Sequence, residues 1–193
     1  MTSSDALERD HHIIKSLEEF IGERLTKSEV GLNERGFSIN QNRVEGLNLR
    51  NLGLKTLPPY VEDLTGLERL DLSKNQFEEF PIEIGRFKDL KFLDLSFNQL
   101  TRIPEDILQL ENLVELRIAF NKIVELPSQF CMLKHLEYLD LSANIDIILP
   151  PAILEMERLK EIRLHYALLH EGRHLELLDE MTKRGCHIWF PVK

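Results

Sequence analysis

Residues 90–104 read LKFLDLSFNQLTRIP, and this pattern of leucine, asparagine and proline returns every 23 residues along most of the chain. Five pairs of an apolar residue and proline mark the interval: Leu57-Pro58, Phe80-Pro81, Ile103-Pro104, Leu126-Pro127 and Leu149-Pro150. The same interval separates four asparagines: Asn75, Asn98, Asn121 and Asn144. A fixed period of this kind predicts one structural unit stacked on copies of itself. Such a stack presents a long open surface, which favours binding of a macromolecule over catalysis in a closed pocket.

Each position of the repeat has a physical role. The aligned units read L-x-x-L-x-L-x-x-N-x-L-x-x-L-P-x-x-I-x-x-L-x-x. The L-x-L core alternates with period two, which predicts a short strand with both leucines pointing inward and parallel pairing between copies. Asparagine can donate and accept hydrogen bonds, so it can satisfy backbone groups where the chain turns away. Proline suits an irregular return path with a short helical turn, from which Ile84 and Phe87 would pack into the core.

The repeat resembles the leucine-rich repeat family. It is most similar to the 23-residue class found in Ras-group-related intracellular repeat proteins and in bacterial and archaeal proteins, over roughly Val44 to Leu169. The resemblance implies an α/β fold, a right-handed solenoid with a curved parallel sheet on its concave face and short helices or 3₁₀ turns on its convex face. It also implies binding of a protein partner, with small GTPases or their regulators as one class.

Three positions depart from the repeat. Leu52 and Ala167 replace the asparagine in the first and last units, where atypical repeats are expected. Asp146 occupies a normally apolar position. Either the chain shifts so that Ile145 or Ile147 fills the gap, or this turn is looser than the others.

The sequence before the repeats predicts an N-terminal cap over residues 1–43. Residues 5–25 have the pattern of an amphipathic helix with Ser4 as N-cap. Residues 36–44 predict a hairpin that leads into the first repeat strand. The predicted inner stripe of the helix consists of Leu7, Ile14, Leu17, Phe20, Ile21 and Leu25.

The sequence after the repeats, residues 170–193, predicts a C-terminal cap. Residues 174–183 form a predicted helix that Gly185 ends, and residues 186–190 a predicted last strand. The inner stripe of that helix would be Leu175, Leu178 and Met181. Trp189 and Phe190 either serve capping alone or contribute to a partner site or dimer contact.

Composition narrows the class of protein. The 193 residues suit one elongated domain, and no apolar run is long enough to cross a membrane. Cys131 and Cys186 do not form a framework of disulfides, and the first residues are not a signal-like apolar segment, so we expect a cytoplasmic protein. The net charge of -9 disfavours a nucleic-acid partner.

Motifs of catalysis are not found in the sequence. It contains no phosphate-binding glycine loop, nucleophile elbow or paired-cysteine metal motif, so we expect no enzyme activity and no cofactor. His165, His170, Glu171 and His174 have spacings that can bind zinc, but the ligand set is incomplete and we expect no metal.

The side chains that flank the two core leucines should face outward on the concave side. Aromatic residues should cluster at the middle of this face, where they would anchor a partner, with charged residues as a polar rim. The candidate partner-binding residues are Phe92, Asp94, Phe97, Arg117, Phe120, Tyr138, Asp140 and Tyr166. Two structural alternatives stand beside this prediction. The aspartates and serines would simply solvate the sheet, and Phe97 and Phe120 would pack between repeats over the asparagine turn.

The sequence therefore favours a non-catalytic interaction module or adaptor, in intracellular signalling if the family resemblance extends to partners. Two alternatives remain open. The chain could be a targeting or regulatory subunit of an enzyme complex of the phosphatase or ubiquitin ligase type. It could also be a self-associating structural protein, for example a homodimer formed through exposed edge strands.

Overall fold

A computed structural model describes residues 3–28, 35–170 and 174–191. Within these residues a nine-stranded open sheet follows the order of the chain from end to end. From β3 onward all neighbouring strands are parallel, while β2 and β3 form an antiparallel hairpin and β1 runs parallel to β2. The strands are β1 Thr26–Ser28, β2 Gly36–Asn40, β3 Arg43–Asn48, β4 Arg69–Asp71, β5 Phe92–Asp94, β6 Glu115–Arg117, β7 Tyr138–Asp140, β8 Glu161–Arg163 and β9 His187–Trp189.

The repeat strands pair in the register that the 23-residue period predicts. Leu47 lies opposite Leu70, Leu70 opposite Leu93, and the series continues to Ile162. These side chains are buried, because each strand turns its central residue inward. The predicted parallel sheet and its inward leucines are confirmed.

The opposite, convex face consists of short 3₁₀ helices that follow the prolines. Ile84 and Phe87 are fully buried, as are Ile107 and Leu110 one repeat later, so the predicted packing of the return path is confirmed. The helices of this face are Val61–Asp63, Ile82–Arg86, Glu105–Gln109, Phe130–Met132 and Pro151–Glu155.

The repeated asparagines form a hydrogen-bonded ladder. The Asn98 Oδ1 accepts a hydrogen bond from the Phe77 N–H at 3.0 Å, and its Nδ2 donates to the carbonyls of Leu72 and Leu95 at 3.1 and 2.9 Å. Asn121 repeats this arrangement one turn later, on Leu100, Leu95 and Ile118. Each amide therefore joins two neighbouring repeats, which confirms the role predicted for asparagine.

The irregular turn near Asp146 is resolved by a shift of the chain. Ile147 is fully buried, whereas Ile145 and Ile148 are exposed. Of the alternatives, Ile147 fills the gap. The Ile148 N–H donates to the Val124 carbonyl at 2.7 Å, so the shifted segment stays joined to the preceding repeat.

The N-terminal helix differs in detail from its prediction. Helix α1 spans Ser3–Ile21, so Ser4 lies inside the helix and the predicted N-cap is wrong. Gly22 has a left-handed φ of 74° that ends the helix, so Leu25 lies beyond it. Phe20 is exposed and Ile13 is buried instead, because the buried face of α1 is rotated from the predicted stripe.

One buried carboxylate fastens the N-terminal segment to the first repeat strand. The Asp10 Oδ2 accepts a hydrogen bond from the Val44 N–H at 2.9 Å and pairs with the Arg43 Nε at 3.2 Å. Asp10 is itself fully buried. The predicted hairpin is confirmed, with Gln41 and Asn42 as its turn, and β1 is an additional strand that the sequence did not predict.

At the C-terminal end a short helix α2 (Ala167–His170) precedes helix α3 (Leu175–Lys183) and strand β9. Leu178 and Met181 are buried as predicted, but Leu175 is exposed because it begins the helix beyond the edge of the core. Gly185 has a φ of 88° just after α3, as predicted for its end. Strand β9 pairs with β8, which confirms the predicted last strand.

Candidate functional site

The outward face of the repeat strands forms an open groove of about 700 Å³. It extends from Arg50 beside β3 to Pro191 after β9. All of the candidate residues except Tyr138 line it, and the lining also includes Arg50, Arg69, Asp71 and Arg163. Seven of the eight candidate residues therefore share one recess on the concave face.

One row of this groove has an unusual backbone. The residue before each ladder asparagine has a left-handed φ between 54° and 58°, although none of these residues is glycine. Left-handed conformation is unfavourable for residues with a bulky side chain and is best tolerated by glycine and asparagine. This row, called here the exit row, consists of Lys74, Phe97, Phe120 and Ala143, together with Asn51, which has the equivalent position before Leu52 in the first repeat.

Phe97 and Phe120 stack on each other in the exit row. Their ring centroids are 4.2 Å apart and their planes differ by 7°. The two rings thus pack on each other across adjacent repeats, as the structural alternative had it, but the residues remain 45% and 52% exposed. The Lys74 ammonium lies 5.5 Å from the Phe97 centroid at one end of the stack. The result is a flat apolar surface open to solvent.

A second row alternates guanidinium groups with aromatic rings, and is called here the arginine–aromatic row. The Arg69 guanidinium lies 4.2 Å from the centroid of the Phe92 ring, and the Arg117 guanidinium lies 5.2 Å from the same centroid. Arg117 and Arg163 in turn flank Tyr138 at 5.7 and 5.2 Å. Phe92 is only 8% exposed, so it supports its neighbours more than it offers a surface.

Two of these arginines are also held by carboxylates on their own strands. The Arg117 Nε donates to Glu115 at 2.7 Å, and the Arg163 Nε donates to Glu161 at 2.9 Å. Arg69 makes no ion pair with any residue that the structure describes. The arginine–aromatic row thus has two arginines in ion pairs toward its C-terminal end and, at its N-terminal end, an arginine whose contact with Phe92 is its sole ion-pair or ring contact within the described residues.

Two aspartates of the groove accept hydrogen bonds from the backbone of their own repeats. Asp94 and Asp140 each accept a hydrogen bond from the N–H two residues on, at 2.8 Å from Ser96 and 2.9 Å from Ser142. Burial raises the pKa of the Asp94 carboxyl, and the neighbouring Asp71 adds to this effect, while Ser96 and Arg117 oppose it. One carboxylate oxygen of each aspartate therefore accepts a backbone hydrogen bond within its own repeat. The aspartates thus have a structural role beside any role in binding a partner.

Tyr138 and Tyr166 occupy different surroundings. Burial raises the pKa of the Tyr138 phenol to about 12, with the nearby Asp140 adding to the rise and Arg163 and Arg117 opposing it. The Tyr166 ring packs against His165 with centroids 4.5 Å apart. The four aromatic residues predicted to cluster are therefore divided between two rows, Phe97 and Phe120 in one, Phe92 and Tyr138 in the other.

The sequence reasoning did not select Arg69, Arg163 or Lys74 as site residues. All three stand in the outward columns of the repeat, so their position was visible in the sequence. Their contacts with Phe92, Tyr138 and Phe97 depend on which rotamers adjacent strands allow, and the alignment of repeats carries no such information.

The described residues contain no group of three or more histidine, cysteine or acidic side chains that could hold a metal ion. Glu171, one of the weighed zinc ligands, lies outside the described residues. None of the helices within those residues has both the length and the apolar character needed to cross a bilayer.

Comparison with known families gives a direct result. The sequence profile of the Leucine Rich Repeat family matches residues 66–87 and 89–110, two consecutive units of the stack. The chain has a leucine-rich repeat fold. No curated protein sequence shows significant similarity to it.

Solved structures show similar repeat folds. InlP of Listeria monocytogenes is 22% identical with a TM-score of 0.56, over 74% of this repeat protein and 38% of that chain. A second structure is the ectodomain of the Arabidopsis thaliana membrane receptor kinase GASSHO1/SCHENGEN3 in complex with CASPARIAN STRIP INTEGRITY FACTOR 2. It is 25% identical with a TM-score of 0.54, and the match covers 69% of this repeat protein and 20% of that chain. A Leptospira interrogans repeat protein is 23% identical with a TM-score of 0.48, and the match covers 62% of this repeat protein and 43% of that chain.

This repeat protein thus spans less than half the length of each of these structures. The fold and the family support a protein–protein interaction module. Because one of the similar structures is an ectodomain, the repeat fold occurs outside cells as well, and the cytoplasmic location stays a prediction.

Proposed function

We propose that this repeat protein is a non-catalytic interaction module that binds a protein partner on its concave face. The observation that carries the proposal is the exposed stack of Phe97 and Phe120. Aromatic residues in the middle of a polar, shaped surface are the typical anchors of protein interfaces. The charged residues around them would orient the partner and exclude alternatives.

The backbone of the exit row strengthens this argument. A left-handed residue with a large side chain carries strain of roughly 1 kcal/mol or more. Asn51 and Ala143 stand in equivalent positions, so the turn itself does not require an aromatic residue. Lys74, Phe97 and Phe120 break this local preference in three consecutive repeats. Such departures on an exposed surface are expected where function takes precedence over stability.

The proposed setting is intracellular signalling, with small GTPases or their regulators as the first class to screen. This part rests on the resemblance of the 23-residue repeat to Ras-group-related proteins. The complex of the plant ectodomain with its factor is an example of a repeat protein with a bound partner. If the captured partner is a phosphatase or ubiquitin ligase component, the same surface would make the chain a targeting subunit.

The experiment is affinity capture from a lysate of the source cells, followed by mass spectrometry. The test bait carries Phe97→Asn and Phe120→Asn, because asparagine suits the left-handed backbone and removes both rings. The control bait carries Tyr60→Asn, an exposed aromatic residue that is also left-handed, with a φ of 66°, but lies outside the groove. We expect a protein that the wild type and the control retain and the double variant loses.

Retention of the same protein by all three baits would place the interface elsewhere and contradict the proposal.

A second candidate function, self-association, is favoured by the sheet ends: β1 and β9 are the end strands, and Trp189 on β9 is 58% exposed. A molar mass in solution that rises with concentration toward that of a dimer would support it over the first proposal.

A further inference from the structure

The stack of rings in the exit row is interrupted at one position. Phe97 and Phe120 lie in adjacent repeats, Ala143 follows in the next, and Tyr166 stands at the equivalent sequence position of the last repeat. Phe120, Ala143 and Tyr166 all line the same groove. Ala143 has the same left-handed backbone as the two phenylalanines but no side chain beyond Cβ. An open space, called here the slot, therefore lies above Ala143.

The slot has the dimensions of one planar group. Neighbouring strands are about 4.8 Å apart, so the two repeat steps from Phe120 to Tyr166 span about 10 Å. A ring inserted above Ala143 would lie about 4–5 Å from the Phe120 ring, which is the spacing of offset-stacked rings. The chain already uses this geometry once, since Phe97 and Phe120 stack at 4.2 Å. Tyr166 lines the same groove on the side of the last repeat. His165 packs against Tyr166 with ring centroids 4.5 Å apart, and both residues line the groove.

The charge of the groove is uneven along its length. Toward the C-terminal end Arg117 and Arg163 are paired with glutamates of their own strands. Toward the N-terminal end Arg50, Arg69 and Lys74 make no ion pair within the described part of the chain. Asp71 and Asp94 offset two of these three charges, which leaves an excess of one positive charge. In a chain with a net charge of -9, this is a local site that favours an acidic group.

These two features set a spacing. Lys74 and Ala143 stand three repeats apart, which corresponds to about 14 Å at about 4.8 Å per repeat. An extended segment covers about 3.4 Å per residue, so about four residues span this distance. We propose that the groove binds an extended partner segment whose aromatic side chain enters the slot above Ala143 while an acidic side chain about four residues away contacts Lys74, at the end of the groove that also contains Arg50 and Arg69. This inference rests on the proposed function, because it names the chemistry of the partner.

The direct test is titration of the repeat protein with short peptides. Binding is monitored through the chemical shifts of the amide ¹H–¹⁵N signals of Ala143 and its neighbours. The probe is a nine-residue peptide of glycine and serine with one glutamate and one phenylalanine four positions apart. Matched peptides carry leucine or arginine for the phenylalanine, or glutamine for the glutamate. We expect the probe to bind with a Kd of about 1 mM, and each substitution to weaken binding about tenfold.

Two variants test the slot from the protein side. Ala143→Phe fills the slot with a ring, and the backbone tolerates this because Phe97 and Phe120 have the same conformation. Ala143→Gly leaves the slot open and is the control. We expect the phenylalanine variant to bind the probe at least about tenfold more weakly than wild type, and the glycine variant to bind it unchanged.

Three results would overturn the inference: no shift of the Ala143 signal with any peptide up to 5 mM, equal binding of the leucine or arginine peptide, or unchanged binding by Ala143→Phe. The outcome is separable from that of the proposed function. If the lysate partner is lost by the Phe97→Asn/Phe120→Asn bait but retained by Ala143→Phe, the concave interface stands and the slot is wrong. If all baits retain it, both proposals fail.

Discussion

At the scale of single residues, Phe97 and Phe120 occupy a conformation that suits asparagine better than phenylalanine. Replacing either ring by asparagine should relieve about 1 kcal/mol of backbone strain and lose about 0.5–1.5 kcal/mol of stacking. We therefore expect Phe97→Asn and Phe120→Asn each to change the free energy of unfolding in urea by less than about 1 kcal/mol. A loss above about 2 kcal/mol in either variant would show that the rings hold the fold rather than serve a partner.

Tyr138 gives a prediction about pH. Its pKa is about 12 in the folded chain, whereas an unfolded tyrosine ionises near pH 10. Between these values the folded state keeps the proton that the unfolded state releases, so this contribution to stability is complete below about pH 10 and is lost as pH rises toward 12. The measurement is urea unfolding of wild type and Tyr138→Phe at pH 9, 10 and 11. As the pH rises, the free energy of unfolding of the wild type should fall relative to that of the variant, which lacks the phenol. A constant difference would contradict the buried environment of the phenol.

The sequence identified the outward columns of the repeat but not the contacts within them. Its 23-residue period places Phe92, Phe97, Phe120 and Tyr138 on one face. Their separation into a phenylalanine stack and an arginine–aromatic row depends on rotamers and on the left-handed backbone of the exit row. Phe20 was placed on the wrong face, because a small rotation of a helix moves a residue at the margin of its apolar stripe into solvent.

At the scale of elements, the asparagine ladder should account for a large share of the rigidity between repeats. The Asn121 amide accepts one hydrogen bond from Leu100 and donates to the carbonyls of Leu95 and Ile118. Asn121→Ala leaves the buried Leu100 N–H without its partner and removes one of two amide donors from each of the Leu95 and Ile118 carbonyls, which keep Asn98 and Asn144. We expect a loss of about 2–4 kcal/mol in urea unfolding. The control is Lys122→Ala, an exposed neighbour that should cost less than about 0.5 kcal/mol. Equal effects of the two variants would contradict the role of the ladder.

The repeat elements were predictable because leucine, asparagine and proline return in phase, and each copy supports the assignment of the others. The N-terminal elements lack such support. Strand β1 has three residues, Thr26–Ser28, with no apolar alternation, and it forms because Gly36 lets β2 approach the Thr26 carbonyl closely. The end of α1 was placed too late because Gly22 was not recognised as its stop, although its left-handed φ is a common helix end.

At the scale of the whole molecule, each repeat is stabilised mainly by contacts with its direct neighbours, so the first repeat depends on the N-terminal segment that covers it. Asp10→Ala removes the buried carboxylate that binds Arg43 and the Val44 N–H. We expect a loss of about 2–4 kcal/mol from the N-terminal region. Hydrogen exchange should accelerate in residues 3–48 much more than in residues 92–163.

The exposed Glu8, on the same helix, supplies the control for this variant. Glu8→Ala should leave the exchange pattern unchanged. A uniform acceleration along the whole chain in Asp10→Ala would mean that the stack unfolds as one unit and that its N-terminal end has no separate stability.

The central claim is that the concave face, through Phe97 and Phe120, is the surface that meets a protein partner. Hydroxyl-radical footprinting of the purified complex tests it most directly, because exposed aromatic and methionine side chains on several faces report at once. The account predicts that Phe97, Phe120 and Tyr166 lose reactivity on binding, while Tyr60, Met132 and Phe20, which are exposed outside the groove, keep theirs. Protection of Met132 or Tyr60 with unchanged Phe97 and Phe120 would contradict it and assign the interface to another face.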